Sequence, residues 1–244
     1  MGNDEMVVAE GRAPYSMYHI QAAASFTRLL LQMEQQYKDT KNNLKLFPHE
    51  LDVVYKGYAT GAIFSAVSFL EASINELFVE ATDEDFSHEY HRFHKFPSRI
   101  VSCMADLWRL DIPRTGSFPI LNKYQVALTV AQKELFEKGT APYQNAFLVI
   151  QLRNRLVHFE PDFTPLHFPG AATVGSSFED RLIGKFALNP WLKKYAASFF
   201  PEKCLGYGCA KWATESILAF ATEFFRRMDL EAYHSGLGDS LKLD

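Results

Sequence analysis

The chain has 244 residues, 48% of them hydrophobic and 14% aromatic, so it can bury a substantial core and is not an intrinsically disordered polymer. Its formal charge of −4 excludes a general electrostatic attraction to nucleic acid, so any RNA binding needs a local positive patch. The three cysteines are an odd number and no signal peptide is recognisable, which predicts free thiols in a reducing cytoplasm. No apolar run approaches the ~18 residues that span a bilayer, so we expect no membrane association.

The first half of the chain predicts two long helices. Residues 1–14 have no hydrophobic period and are expected to form a flexible leader. Apolar residues at helical spacing then predict helices over 15–38 and 51–81. The second helix is rich in Gly, Ala and Ser, which allow a neighbouring helix to approach closely. Its inward polar residues are Glu71, Asn75 and Glu76, of which the first two share a face because they are four residues apart.

The second half predicts further helices joined by long connections. The helical pattern recurs over 98–110, 123–137, 141–159, 178–188 and 209–228, while residues 160–175 are rich in proline and residues 233–244 are expected to form a flexible tail. Gly139 is expected to close the second of these helices. No period-two strand, Gly-rich phosphate loop or internal repeat is present. We therefore predict an all-α fold, a single antiparallel helical bundle over 15–232 with long connecting loops.

The stretch Ala141–Phe159 is the centre of this prediction. Pro142 suits the start of a helix, since its missing N–H costs nothing there, and Pro161 ends the helix soon after His158. Leucines at 148, 152 and 156, followed by Phe159, predict a core-facing stripe. The helix therefore predicts a buried body that ends in a polar cluster.

The polar cluster consists of Arg153, Asn154 and His158. Asn154 and His158 share a face because they are four residues apart. Arg153 and His158 are separated by about 7.5 Å along the axis and roughly 140° around it, so a long guanidinium can reach towards the imidazole. A planar fork of donors beside a side chain that titrates near neutral pH suits a phosphate group.

The sequence Arg153-Asn154-Arg155-Leu156-Val157-His158 fits R-N-x-x-x-H and resembles the signature of HEPN domains, which are all-helical bundles. Ser68–Phe78 (S-F-L-E-A-S-I-N-E-L-F) resembles their other core helix, which often carries a Glu facing the motif. An Arg followed within four to six residues by His is expected about once by chance in this composition. Requiring Asn after the Arg lowers that expectation to roughly 0.01.

The resemblance implies a metal-independent endoribonuclease that acts as a homodimer, needs no cofactor and gives a cyclic phosphate product. It further suggests a toxin or phage-defence effector with an antitoxin partner. In this scheme His158 is the general acid or base, Arg153 binds the phosphate and Asn154 orients the imidazole. Two copies would bring two histidines into one cleft, because one imidazole performs only one proton transfer at a time. Supporting roles fall to Glu71, Asn75 and Glu76, and an RNA-tracking role to Arg155.

A structural interpretation of the same residues is also open. Arg153 could pair with Glu71 or Glu76 of the neighbouring helix, while Asn154 bonds backbone and His158 satisfies the carbonyls at the helix end. The protein would then be a non-catalytic helical module that binds a nucleotide or a partner protein. The acidic net charge favours this alternative.

Four other groups of residues raise hypotheses against a simpler expectation of surface or core. Histidines recurring at every third position could bind zinc or nickel, although a solvated face is the commoner explanation and no metal site is predicted. The recurring histidines are His88, His91 and His94, and one further histidine, His167, could overhang the motif. The aromatic residues after the motif, Phe159, Phe163 and Phe168, could stack bases. The lysines that could form an RNA track are Lys193, Lys194, Lys203 and Lys211.

Overall fold

The computed structural model describes residues 14–39, 49–87, 89–114, 118–159, 177–192 and 197–244. Within those ranges the chain is helical and forms no β-strand, which confirms the all-α prediction. The α-helices are α1 (Ser16–Asp39), α2 (His49–Glu80), α3 (Ser98–Arg109), α4 (Ile120–Val130), α5 (Tyr143–Val157), α6 (Ser177–Leu182) and α7 (Tyr207–Met228). A π-helical turn, Phe199–Lys203, precedes α7, and a 3₁₀ segment, Ser235–Leu241, follows it.

Helix α2 is the centre of the core. It packs against α1, α5 and α7 and also contacts α3 and α4. Its small residues let the neighbours approach closely, as the sequence predicts: a Cβ on Gly61 would lie 3.1 Å from the ring of Phe26 on α1. The largest buried side chains of α2 include Tyr55, Phe69 and Phe78, which join one continuous core with the aromatic residues of α7. Helix α5, which carries the motif, is therefore held against both α2 and α7.

Helix α2 is also the one helix in the described ranges that is long and apolar enough to cross a membrane by length and composition. Its mean hydropathy over the relevant window is 1.4, and 56% of that window is buried inside the fold. The expectation that no segment of the chain reaches this threshold was therefore wrong. Core helices of this length and composition pass the same test.

Helix α4 differs from its prediction at both ends. It begins at Ile120 and ends at Val130, where residues 123–137 were expected to be helical. The termination comes from Gln132, which adopts a left-handed conformation (φ 56°), while the N–H of Lys133 bonds the carbonyl of Leu128. The side-chain amide of Gln125 then bonds both the N–H and the carbonyl of Phe136, at 3.0 and 2.8 Å, so the following segment runs back along α4.

The other differences lie late in the chain. Helix α6 ends at Leu182 rather than residue 188, shortly before Gly184 adopts a positive φ of 81°. Residues 233–244, expected to be a flexible tail, pack on the bundle: Arg28 donates to the carbonyls of Ser240 and Lys242, and Leu243 is buried. Residues 1–13 of the leader and the whole proline-rich loop, residues 160–175, lie outside the described residues.

Candidate functional site

The motif helix forms much as its sequence predicts. Helix α5 begins at Tyr143 directly after Pro142 and ends at Val157, so His158 becomes its C-cap and bonds through its N–H to the carbonyl of Asn154 at 2.8 Å. The leucines at 148 and 152 are fully buried, but Leu156 is half-buried and Phe159 is exposed. The core stripe therefore ends one turn before the helix does, and the motif emerges at the protein surface.

A pocket of about 760 Å³ opens along the other face of α5. All three predicted motif residues, Arg153, Asn154 and His158, line it, and so does Glu71 of α2. Its remaining walls come from α5, from the start of α4 and from the segment between them: Phe118, Pro119, Ile120, Leu121, Asn122, Lys138, Tyr143, Phe147, Ile150 and Gln151. The fold thus brings the motif and the acidic residue of α2 to one concave surface.

Arg153 lines this pocket, and part of its guanidinium has no hydrogen-bond partner in the fold. Its Nε is fully buried and has no hydrogen-bond partner. Within the part of the chain that the structure describes, no carboxylate forms an ion pair with its guanidinium. A buried N–H without a partner is uncommon and costs free energy, so it calls for an explanation such as a ligand or ordered water. The structural interpretation, in which Arg153 pairs with Glu71 or Glu76, does not describe this arrangement.

The acidic residues of α2 have other partners. Lys123 of α4 is buried, with only 1% of its side chain exposed, and its Nζ donates to Oε1 of Glu71 and Oδ1 of Asn75, both at 3.1 Å. Glu76 accepts hydrogen bonds from the N–H and the hydroxyl of Ser16, at 2.8 and 2.5 Å. Glu71 alone of the three lines the pocket, and 40% of its side chain remains exposed.

The first turn of α4 adds a second electropositive wall. Pro119 precedes this helix and no side chain caps it. The N–H groups of Asn122 and Lys123 bond the carbonyl of Pro119, whereas those of Ile120 and Leu121 have no acceptor in the described ranges. Because free N–H groups at a helix start attract negative charge, this end of α4 complements Arg153 across the pocket.

The two remaining motif positions differ in their surroundings. Asn154 and His158 are both exposed, and their side chains contact the pocket and have no partner among the residues described. Arg155 does not line the pocket, since its guanidinium lies 4.3 Å from the centre of the Phe178 ring. Its predicted contact with RNA stays a prediction, for a site outside this pocket.

The other predicted groups do not converge on the pocket. The ring of His91 bonds Asp83 at 3.3 Å and the N–H of Phe93 at 3.1 Å, His94 bonds the carbonyl of His91, and His88 lies outside the described residues. No group of three potential metal ligands occurs in the described ranges. Lys203 is buried and Lys211 lies on α7, whereas several predicted residues lie outside the described ranges: Phe163, His167, Phe168, Lys193 and Lys194.

Sequence reasoning missed two features of the site. Lys123 was expected at the start of a helix, but α4 begins three residues earlier, and Lys123 is buried on the same face as Ala127. The aromatic wall residue Phe147 was not singled out among the apolar residues of the motif helix, yet 39% of it is exposed. A lysine within an otherwise apolar face was the available signal for the first feature, since a buried lysine needs a counter-charge. Nothing in the spacing signals the second.

Comparisons with protein-family models, curated proteins and solved structures give no match to this chain. The resemblance to HEPN domains therefore depends on the motif and on the acidic core helix, and it stays a prediction.

Proposed function

We propose that the pocket binds the phosphate backbone of single-stranded RNA and that the protein is a metal-independent endoribonuclease of the HEPN type. The observation that carries this proposal is the buried, unpaired Nε of Arg153 in the wall of a pocket that His158 and Asn154 also line. A guanidinium with free donors binds a phosphate through paired, charge-assisted hydrogen bonds. The start of α4 contributes positive potential to the same cavity.

The chemistry follows from these groups. The 2′-hydroxyl of one ribose attacks the adjacent phosphorus, the 5′-oxygen of the next nucleotide leaves, and a 2′,3′-cyclic phosphate forms. The attacking oxygen loses a proton and the leaving oxygen gains one, so no oxidant, metal or cofactor is needed to balance the step. His158 transfers one of the two protons, and Arg153 stabilises the charge that develops on the phosphoryl oxygens.

A second proton-transfer group comes from a second copy of the chain in this proposal. His158 is exposed at the end of α5, and two apolar neighbours, Val157 and Phe159, are about half exposed. Two such ends that meet about a two-fold axis bury apolar surface and bring two imidazoles together. Because a toxin or defence role rests on the family resemblance alone, the cleavage assay comes first.

The test is an RNA cleavage assay with the purified full chain and a chelator. We expect single-stranded RNA to be cut to products with cyclic phosphate ends. His158→Ala and Arg153→Ala should each lower the rate by at least about 100-fold, the scale of one general acid or base. Two matched controls outside the pocket, His94→Ala and Arg109→Ala, should cleave at the wild-type rate.

A non-catalytic nucleotide-binding module is the alternative, favoured by the net charge of −4. In that case RNA stays intact under every condition, while a nucleotide raises the melting temperature of the wild type and not that of Arg153→Ala. Cleavage that persists in both pocket variants would reject the proposed active site.

A further inference from the structure

The pocket is larger than a phosphate group requires. Its volume of about 760 Å³ falls in the range of sites that hold whole small molecules. The phosphate-directed groups, Arg153 and His158, belong to the last two turns of α5. A substantial part of the cavity therefore lies beyond them, further towards the start of the helix.

That second part of the pocket is mainly apolar and aromatic. Phe147, Ile150 and Tyr143 contribute from α5, and Phe118 with Ile120 contributes from the opposite wall. Burial raises the pKa of Tyr143 above its ordinary value, so its phenol stays neutral. Among the described residues of the lining, the charged groups besides the motif residues are Lys138 and the Lys123-bound Glu71. A flat, neutral ligand group is the chemistry that such walls accept.

Phe147 is the residue best placed to bind such a group. It is 39% exposed on a helix whose neighbours Ala146, Leu148 and Val149 are buried, and its ring has no aromatic contact within the described ranges. It lies six positions before Arg153, which places the two about 9 Å apart along the axis and roughly 120° apart around it. Both residues line the same pocket, so one ligand can contact them together.

Gln151 lies between these two ends and is held in one orientation. Its Oε1 accepts a hydrogen bond of 2.9 Å from Nη2 of Arg181 on α6. The amide Nε2 of this pocket-lining residue is then left as a donor that has no partner among the described residues. A ring with a hydrogen-bond acceptor on its edge satisfies this donor.

We propose that the Phe147 half of the pocket is a nucleobase subsite. It stacks the base of the nucleotide whose phosphate Arg153 binds, and Gln151 donates to an acceptor on that base. This inference rests on the proposed function for the identity of the polymer, but it concerns binding rather than cleavage. Stacking tolerates every base, since each has a π-face, so the subsite selects unpaired nucleotides rather than one sequence.

The test measures binding with probes that cannot be cut. A short 2′-O-methyl RNA and the same strand with abasic sites are titrated into the full-length protein and followed by fluorescence anisotropy. Phe147→Ala should weaken binding of the intact strand roughly 5- to 150-fold, which is the worth of stacking one base. Binding of the abasic strand should not change. Arg153→Ala should weaken both strands equally.

Two further variants serve as controls for this binding experiment. Phe147→Leu keeps an apolar side chain but removes the aromatic ring, so it should reproduce the loss with an unaltered melting temperature. Tyr18→Ala, which removes an exposed aromatic residue of α1 outside the pocket, should bind both strands like the wild type. Equal affinity of the wild type for intact and abasic strands would overturn the subsite, as would a Phe147 variant that loses both strands alike.

The outcome is separable from that of the proposed function. If natural RNA stays intact while the base-dependent affinity falls in both Phe147 variants, cleavage is rejected and the subsite stands. If RNA is cut with Arg153 and His158 required, but Phe147→Ala binds the intact strand normally, the subsite is rejected and the nuclease stands.

Discussion

Lys123 of α4 and Arg153 of α5 are two cationic side chains at or near the pocket, and they differ in their hydrogen bonding. Lys123 is buried and saturated, because its ammonium donates to both Glu71 and Asn75. Arg153 presents donors to the pocket, and its buried Nε has no partner. The first group is complete within one chain. The second has a buried donor that no described residue satisfies.

The difference separates a structural polar cluster from a candidate binding site. A carboxylate of α2 in the same cavity would ordinarily attract the nearest guanidinium, and the two would close on each other. Here Glu71 instead accepts a hydrogen bond from the buried Lys123, and no carboxylate of the described residues forms an ion pair with Arg153. Lys123 is not among the described residues that line the pocket.

The largest expected effect comes from separating two copies of the chain at the open end of the pocket. Val157→Asp places a charge on an exposed position beside His158, so the fold should keep its stability while the apolar contact between copies is lost. We expect a monomer in sedimentation and a cleavage rate lower by about 10²- to 10⁴-fold, the value of one proton-transfer group.

Ile183→Asp is the matched control, because it changes an exposed apolar residue beyond α6. It should leave both the oligomeric state and the rate unchanged. A monomeric Val157→Asp protein with full activity would show that the second proton carrier belongs to the same chain, and Glu71 in the pocket would then be the group to substitute.

A moderate effect on stability should distinguish the saturated cation from the open one. Lys123→Met leaves the carboxylate of Glu71 and the amide of Asn75 without their donor and should cost about 1–3 kcal/mol in the free energy of unfolding. Arg153→Met leaves no described residue without a hydrogen-bond or ion-pair partner, so it should change the free energy of unfolding by less than about 0.5 kcal/mol. Urea denaturation of the two variants measures both values.

The double variant Lys123→Met with Glu71→Leu supplies the internal check. Replacing both charged members of the pair by apolar groups should recover part of the lost stability, since no carboxylate is then left without its cation and only the amide of Asn75 lacks its donor. If Lys123→Met and Arg153→Met are equally destabilising, the two cations are both structural and the comparison fails.

The sequence predicted the bounds of the helices that have strong apolar periodicity. It predicted less accurately the helix bounds that depend on local hydrogen bonds. Helices α1, α2, α3 and α7 lie within a few residues of their predicted ranges, because each has a long apolar face to bury. Helix α4 did not, since its end depends on the left-handed Gln132 and on the bonds of the Gln125 amide to Phe136. Neither feature is indicated by a pattern of residue spacing in the sequence.

The candidate site shows the same division. The motif spacing predicted that Arg153, Asn154 and His158 would emerge together at the end of a core helix, and they line one pocket. It could not predict which cation would pair with Glu71, because that choice depends on the position of α4 across the bundle.

The smallest expected effect concerns another buried side chain with an unpaired nitrogen, the imidazole of His234. Its Nε2 bonds the hydroxyl of Thr222 at 2.9 Å, its Nδ1 is buried without a partner, and the ring of Phe69 packs edge-on against it. Burial lowers the pKa of His234 below its ordinary value of 6.5, so the folded state favours the neutral imidazole. Unlike Arg153, this residue lines no part of the motif pocket.

The sign of the pH effect follows from that depression. Below pH 6.5 the unfolded chain binds a proton that the folded chain resists, so stability falls as the pH drops from about 6.5 towards the lower folded-state pKa. Above pH 6.5 both states are neutral and the residue has no effect. Urea midpoints between pH 7.5 and 5.5 should therefore decline more in the wild type than in His234→Gln, which cannot titrate. Parallel declines in the two proteins would mean that the imidazole is accessible to a proton in the folded state. RNA cleavage at neutral pH should be the same in both, because His234 is not among the residues that line the motif pocket.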